Sequence, residues 1–108
     1  MIRFAIDVDN TLIEQRGAEV VLNTKVLALV VALFELDVCE LVLWSGGGAD
    51  YAEHVARKFG VHHLFSKFTG KQRDYADISL DDQPNSLAAI SLKLPGDITP
   101  TPWMNGMV

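Results

Sequence analysis

Apolar positions in this chain fall into short continuous runs separated by polar turns, and each run has the length of a strand or a buried helix. Residues 2 to 8 are β-rich and apolar enough to be covered on both faces, as strands of a parallel sheet are. Glu14, Gln15, Arg16 and Gly17 then read as a turn and Val20 to Leu22 as a short return strand, together a small hairpin. Asn23 and Thr24 can cap a helix from Lys25 to about Leu36, which is apolar nearly all round and therefore expected to be buried. Leu41 to Trp44 is a second core strand, broken by Ser45 and the glycines Gly46, Gly47 and Gly48. From Ala49 to Phe59 the spacing predicts a helix with Tyr51, Ala52, Val55, Ala56 and Phe59 on one face. Glu53 and Arg57 pair at i, i+4 on that helix, and Gly60 stops it. Residues 64 to 68 form a short third strand, and Ala76 to Leu80 another that ends in Asp81 and Asp82, with Pro84 closing it. Ser86 to Leu94 fits a short helix or an edge strand. From Pro95 onward, three of the four prolines and two of the eight glycines predict an irregular tail, with Trp103 pinning it to the core.

Strand, helix, strand, helix, strand is the order of an α/β layer fold, here expected as a three-layer Rossmann-like domain with a mainly parallel sheet. In such sheets ligands sit beyond the carboxyl ends of the strands. The chemistry-bearing residues lie there: Asp7 and Asp9 after the first strand, Ser45 after the second, Asp81 and Asp82 after the fourth.

The length of 108 residues allows one domain, with a core over about residues 2 to 94. A hydrophobic share of 49% with 21% charged residues is that of a globular chain. The net charge of −5 argues against a partner held by its nucleic-acid backbone. Cys39 is a single thiol in an apolar context, read as a small core residue in a reducing compartment. The longest apolar run, Val26 to Phe34, is far below the ~20 residues that span a bilayer. Asp7 and Asp9 interrupt any leader-like opening segment, so the expected location is cytoplasmic, with no membrane partner.

The phrase Phe4-Ala5-Ile6-Asp7-Val8-Asp9-Asn10-Thr11 runs from a core strand straight into two carboxylates and a hydroxyl. Paired carboxylates at a strand end repel unless a cation lies between them, and Mg²⁺, held by carboxylate oxygens and substrate phosphate, meets that need. Glycines 46 and 47 open a helix, where backbone amides can approach an anion without a Cβ in the way. Other motifs fail on spacing. An EF-hand needs glycine where Leu12 stands and a glutamate where Ala18 stands, and no Gly-Lys-Ser/Thr follows the glycine run to make a P-loop. His62 and His63, adjacent and without spaced partners, are read as structural or exposed.

In order and spacing these residues resemble the haloacid dehalogenase-like (HAD) phosphatase superfamily, in a small member without a cap domain. The first motif is Asp7-Val8-Asp9-Asn10-Thr11, the second Leu43-Trp44-Ser45-Gly46, the third a lysine and the fourth Ile78-Ser79-Leu80-Asp81-Asp82. Lys71 is the choice for the third motif, with Lys67 its rival. The resemblance covers residues 2 to 83 and implies a Mg²⁺-dependent phosphatase with Asp7 as nucleophile and Asp9 as general acid and base. It implies phosphate contacts from Thr11, Ser45, Gly46, Gly47 and Lys71. Mg²⁺ would be held by Asp7, the carbonyl of Asp9, and Asp81 or Asp82. Position 10 is Asn where the family often has Gly, and Asn tolerates the left-handed turn. An uncapped site suits a large phosphorylated substrate, such as a polymer or protein, or a homo-oligomer whose neighbour supplies the lid. The competing expectations are a catalytically silent phosphate- or partner-binding module of the same fold and, last, a phospho-accepting receiver-like switch.

Overall fold

The computed structural model describes residues 1–71, 74–82 and 88–93. Strand β1 (Ile2–Asp7) leads through a loop into the hairpin β2 (Ile13–Arg16) and β3 (Glu19–Leu22), then helix α1 (Thr24–Leu36), strand β4 (Cys39–Ser45) and helix α2 (Ala49–Lys58). A 3₁₀ turn at His62–Leu64 follows, then β5 (Lys67–Gly70), β6 (Ala76–Asp81) and β7 (Ala88–Lys93). The five long-range strands form one sheet in the order β5-β4-β1-β6-β7, every pairing parallel, and β2 pairs with β3 antiparallel beside it. The molecule is thus a compact α/β domain with two helices among its described residues.

The strand order explains where a site can form. From β1 the chain steps outward through α1 to β4 and through α2 to β5, then returns past β1 to lay down β6 and β7 on the other side. The direction reverses between β1 and β6, and connections that leave two neighbouring strands in opposite directions open a crevice at their carboxyl ends. Asp7 closes β1 and Asp81 closes β6.

Alternation along the strands sends side chains to two faces. Phe4, Ile6, Leu41, Leu43 and Leu80 meet Val26 and Val30 of α1 and Ala52, Val55 and Ala56 of α2 in one buried cluster. Ala5, Val42 and Trp44, all fully buried, gather with Ala76 in a second. Both helices therefore cover the same face, and the expected three layers are not drawn by the described elements. The reason lies in chain length: only residues 71–75 join β5 to β6, and only residues 82–87 join β6 to β7. A parallel crossover carrying a helix takes a dozen residues or more.

Element boundaries follow local chemistry. The side chain of Asn23 accepts from the amides of Lys25 and Val26 and starts α1, which ends where Asp37 turns left-handed at φ 52. The expectation that α1 is buried all round is corrected. Only Val26 and Val30 are buried, while Leu29, Phe34 and Leu36 are exposed, because a helix laid on a sheet presents one stripe to it and solvent meets the rest. In α2, Ala52, Val55 and Ala56 face the core, and Glu53 pairs with Arg57 at 2.8 Å. Gly60, at φ 71, follows its end. The third strand begins at Lys67 rather than at residue 64, since His62–Leu64 forms the 3₁₀ turn. The Ser86 to Leu94 ambiguity resolves to the parallel edge strand β7, whose Ile90 and Leu92 remain exposed. Cys39 packs, half-buried, against the main cluster, and burial pushes its thiol up, as expected of an inert core thiol. Pro84, the tail from Pro95 and Trp103 lie outside the described residues.

Candidate functional site

Beyond Asp7 the chain cannot stay extended, because it turns back to place Leu12 and Ile13 in the core. The carbonyl of Val8 accepts from the amides of Thr11 at 3.4 Å and Ile13 at 3.1 Å, and the carbonyl of Asp7 from that of Leu12 at 3.2 Å. Asn10 takes the left-handed conformation at φ 59 that this turn needs. Thr11, buried by the turn, donates its hydroxyl to Asp7 Oδ2 at 3.2 Å. Its hydroxyl thus braces the Asp7 carboxylate.

The end of β4 is built around Ser45. Its carbonyl accepts from the amides of Gly48 and Lys71, both at 3.1 Å, so the chain leaving β5 is tied to the chain entering α2. Its hydroxyl, 2% exposed with the rest of the residue, accepts from the Gly47 amide at 3.0 Å. Gly48 stands at φ 99, where a side chain is strained. At Gly47 a Cβ would lie 3.2 Å from the Tyr51 ring, a tight contact that would push this partly exposed ring aside.

Anchoring the Lys71 amide on Ser45 aims its side chain across the sheet end. The ammonium lies 2.7 Å from Asp7 Oδ1 and 2.5 Å from Asp81 Oδ2. Asp7, Asp81 and Asp82 each offer a carboxylate oxygen, all within 4.8 Å of one another, in an arrangement able to hold a metal ion. Asp7 and Asp81 are 4% and 1% exposed, so water screens little of their repulsion. Among the described residues, these three carboxylates gather around one ammonium. The Asp7 carboxyl responds: burial first, then the Asp81 charge, push it up to about 7 against the pull of Lys71. Lys71 is itself raised, its two carboxylate partners outweighing burial. Beside it, Trp44 is the register partner of Asp7, fully buried with its indole N–H unpartnered among the described residues.

Asp9 is placed apart. Its carboxylate lies outside the group of three and accepts from the Tyr51 hydroxyl at 2.6 Å. That bond to Asp9, aided by burial, pushes the Tyr51 phenol up to about 12 and keeps it a donor. Asp9 also lines a cleft of about 300 Å³ between the hairpin and α2.

Of the candidates read from sequence, the fold brings Asp7, Lys71, Asp81 and Asp82 together, sets Thr11 against Asp7, and places Ser45 and Gly47 at the neighbouring strand end. Lys67 goes elsewhere, 2.7 Å from Asp74. Sequence reading put Tyr51 on the core face and missed its contact with Asp9, which joins residues 42 positions apart. No protein-family model, curated protein or solved structure matches this chain.

Proposed function

We propose that the protein is a Mg²⁺-dependent phosphomonoester hydrolase of HAD-like, Rossmann-like architecture, in which Asp7 carries the phosphoryl group between two half-reactions. The observation that carries this reading is the convergence of Asp7, Lys71 and Asp81 at 2.7 and 2.5 Å, with Asp82 alongside, where the strand order reverses. Motifs separated by most of the chain meet at one point and in the order of the family the sequence resembles.

In the first half-reaction a carboxylate oxygen of Asp7 attacks phosphorus, the ester P–O bond breaks, and Asp9 gives its proton to the departing oxygen. In the second, Asp9 takes a proton from water as that water attacks the aspartyl phosphate. The bond to Asp7 then breaks and inorganic phosphate leaves. Asp7, Asp81 and Asp82, with the Asp9 carbonyl, would hold Mg²⁺, which neutralises charge on the transferred group. Lys71 adds a fixed positive charge beside nucleophile and phosphate, and the Ser45 hydroxyl, set by the Gly47 amide, would donate to a remaining phosphate oxygen. Thr11 holds Asp7 in one rotamer. Tyr51 orients Asp9, a carboxylate with an exposed position suited to exchanging protons with water. A single half-buried thiol supports a reducing, cytoplasmic setting, and phosphorylated small molecules or macromolecules are the substrates in view.

The near-complete burial of Asp7 and Asp81 favours a second reading, a silent module whose closed ion cluster binds a phosphate or a partner without turnover. One experiment separates them. Incubation with Mg²⁺ and an aryl phosphate, followed by acid quench and peptide mass analysis, should release phosphate and leave a phosphoryl group on Asp7. Asp7→Asn should abolish both. Phosphate binding with no turnover across a broad ester panel would establish the silent module.

A further inference from the structure

At the amino end of the sheet, away from the acidic site, a cavity of about 390 Å³ opens between the end of α1 and the 3₁₀ turn. Leu41, Leu64 and Phe65, all buried, give it an apolar floor, and the exposed Phe34 and Met1 form its rim. Phe34 is 47% exposed, yet its ring is braced edge-to-face by the His63 imidazole, 6.5 Å between centroids. The apolar surface runs on beyond the cavity. Leu36 and Val38, 67% and 57% exposed, flank Asp37 in the chain, and exposed Ile2 follows Met1 and pairs in register with Cys39, which also lines the cavity. Apolar side chains gathered at one exposed place with a polar border mark a binding face.

The charges around this face have one sign. Of its polar lining residues, Glu40 takes the Arg3 guanidinium at 3.2 Å, and the Ser66 hydroxyl donates to the Leu41 carbonyl at 3.0 Å. Asp37, which also lines the cavity, and its exposed neighbour Glu35 form no ion pair among the described residues. The cations of this end of the sheet, Arg3 and Lys67, are held by Glu40 and Asp74. Glu35 and Asp37 also stand where α1 ends, and its last turn holds no basic residue, so both add to the negative end of the helix dipole. A cation from outside would be drawn to all three.

We propose that this face docks a basic amphipathic segment of another protein, which inserts a large apolar side chain into the cavity and sets Lys or Arg against Asp37 and Glu35. Charge complementarity chooses this occupant. A second copy meeting the face across a twofold axis would oppose Asp37 and Glu35 to their own counterparts, and an anionic bilayer would repel them. The proposal is independent of the phosphatase reading, because no residue of the acidic site takes part.

Fluorescence anisotropy of a dye-labelled amphipathic peptide of leucine and lysine, titrated with the full chain, tests the proposal. Binding should be saturable, and the same peptide with glutamate for lysine should not bind. Affinity for the lysine peptide should fall by about tenfold or more in Phe34→Ser, which removes the rim ring. It should fall similarly when Glu35→Gln is combined with Asp37→Asn, a replacement that keeps the left-handed end of α1. Glu19→Gln combined with Asp50→Asn removes the same charge from exposed positions elsewhere and should leave the affinity near that of the parent. Every substituted residue is exposed, so the fold is retained, and the two peptides test the charge requirement on the parent chain alone. No saturable binding, equal binding of the glutamate peptide, undiminished binding by Phe34→Ser, or an equal loss in the Glu19 and Asp50 pair overturns the proposal. Sedimentation of the chain alone supplies the last check. A monomer supports the proposal, whereas a dimer that Phe34→Ser dissociates assigns the face to a second copy and overturns it.

Discussion

Two ion clusters sit at opposite ends of β1, and they differ in one respect that matters. At the amino end, Arg3 pairs with Glu40 at 3.2 Å and with Asp74 at 2.6 Å, and Lys67 adds a contact to Asp74 at 2.7 Å. Two cations meet Glu40 and Asp74, a third carboxylate, Asp77, accepts from the Arg3 amide at 2.7 Å, and the Arg3 guanidinium stacks 5.2 Å from the Tyr75 ring centre. At the carboxyl end, Lys71 faces Asp7, Asp81 and Asp82 among the described residues. The first cluster sets two cations among its carboxylates, and its ion pairs tie strands together. The second sets three carboxylates around one ammonium among the described residues, in a more deeply buried place where unpaired charge is costly. The side chains of Lys71 and Asp74, three positions apart, reach these two ends.

The contrast can be broken most severely at Lys71. Lys71→Met leaves two buried carboxylates without their cation, and the metal-free protein at pH 8 should lose about 3–5 kcal/mol of stability in chemical denaturation. Added Mg²⁺ should restore part of it; a loss no greater than that of Lys67→Met would show the two clusters to be equivalent. Proton linkage gives the next effect. Asp7 binds its proton more tightly folded, near 7, than at its ordinary 3.8, so its contribution is full below about pH 4 and lost as pH rises through 7. Melting temperature of the metal-free protein should fall across that window, and Asp7→Asn or saturating Mg²⁺ should flatten the profile. The amino end, with its second cation, should respond more mildly. Asp74 is held below the usual carboxylate range because Lys67, the Tyr75 amide and Arg3 outweigh its burial. Asp74→Asn should cost about 1–3 kcal/mol, as for a hydrogen bond to a charged group, with Mg²⁺ affinity unchanged. Its contribution should vanish only as pH falls below 4, the opposite sign to Asp7.

Much of this contrast was legible along the chain, for reasons that differ by residue. Asp7 and Asp81 stood out because charge interrupts an apolar strand, a local signal that needs no knowledge of the fold. The turn at Asn10 was legible too, from one residue's tolerance of left-handed angles. Lys71 and Lys67 could not be separated by spacing, since both flank the same short strand. What divides them is the hydrogen bond from the Lys71 amide to Ser45. Tyr51 was invisible as a partner of Asp9 because helical periodicity assigns a face without saying what crosses it. The apolar surplus of α1 misled in the opposite direction: hydrophobicity all round reads as burial, yet a helix on one side of a sheet has only one stripe to bury.

The most direct measurement is calorimetric titration of Mg²⁺ into the metal-free protein and its Asp81→Asn and Asp74→Asn variants. One ion should bind the parent and Asp74→Asn alike, and Asp81→Asn should lose that binding. No Mg²⁺ binding to the parent, or binding that survives Asp81→Asn undiminished, would contradict the assignment of the acidic cluster to a metal site.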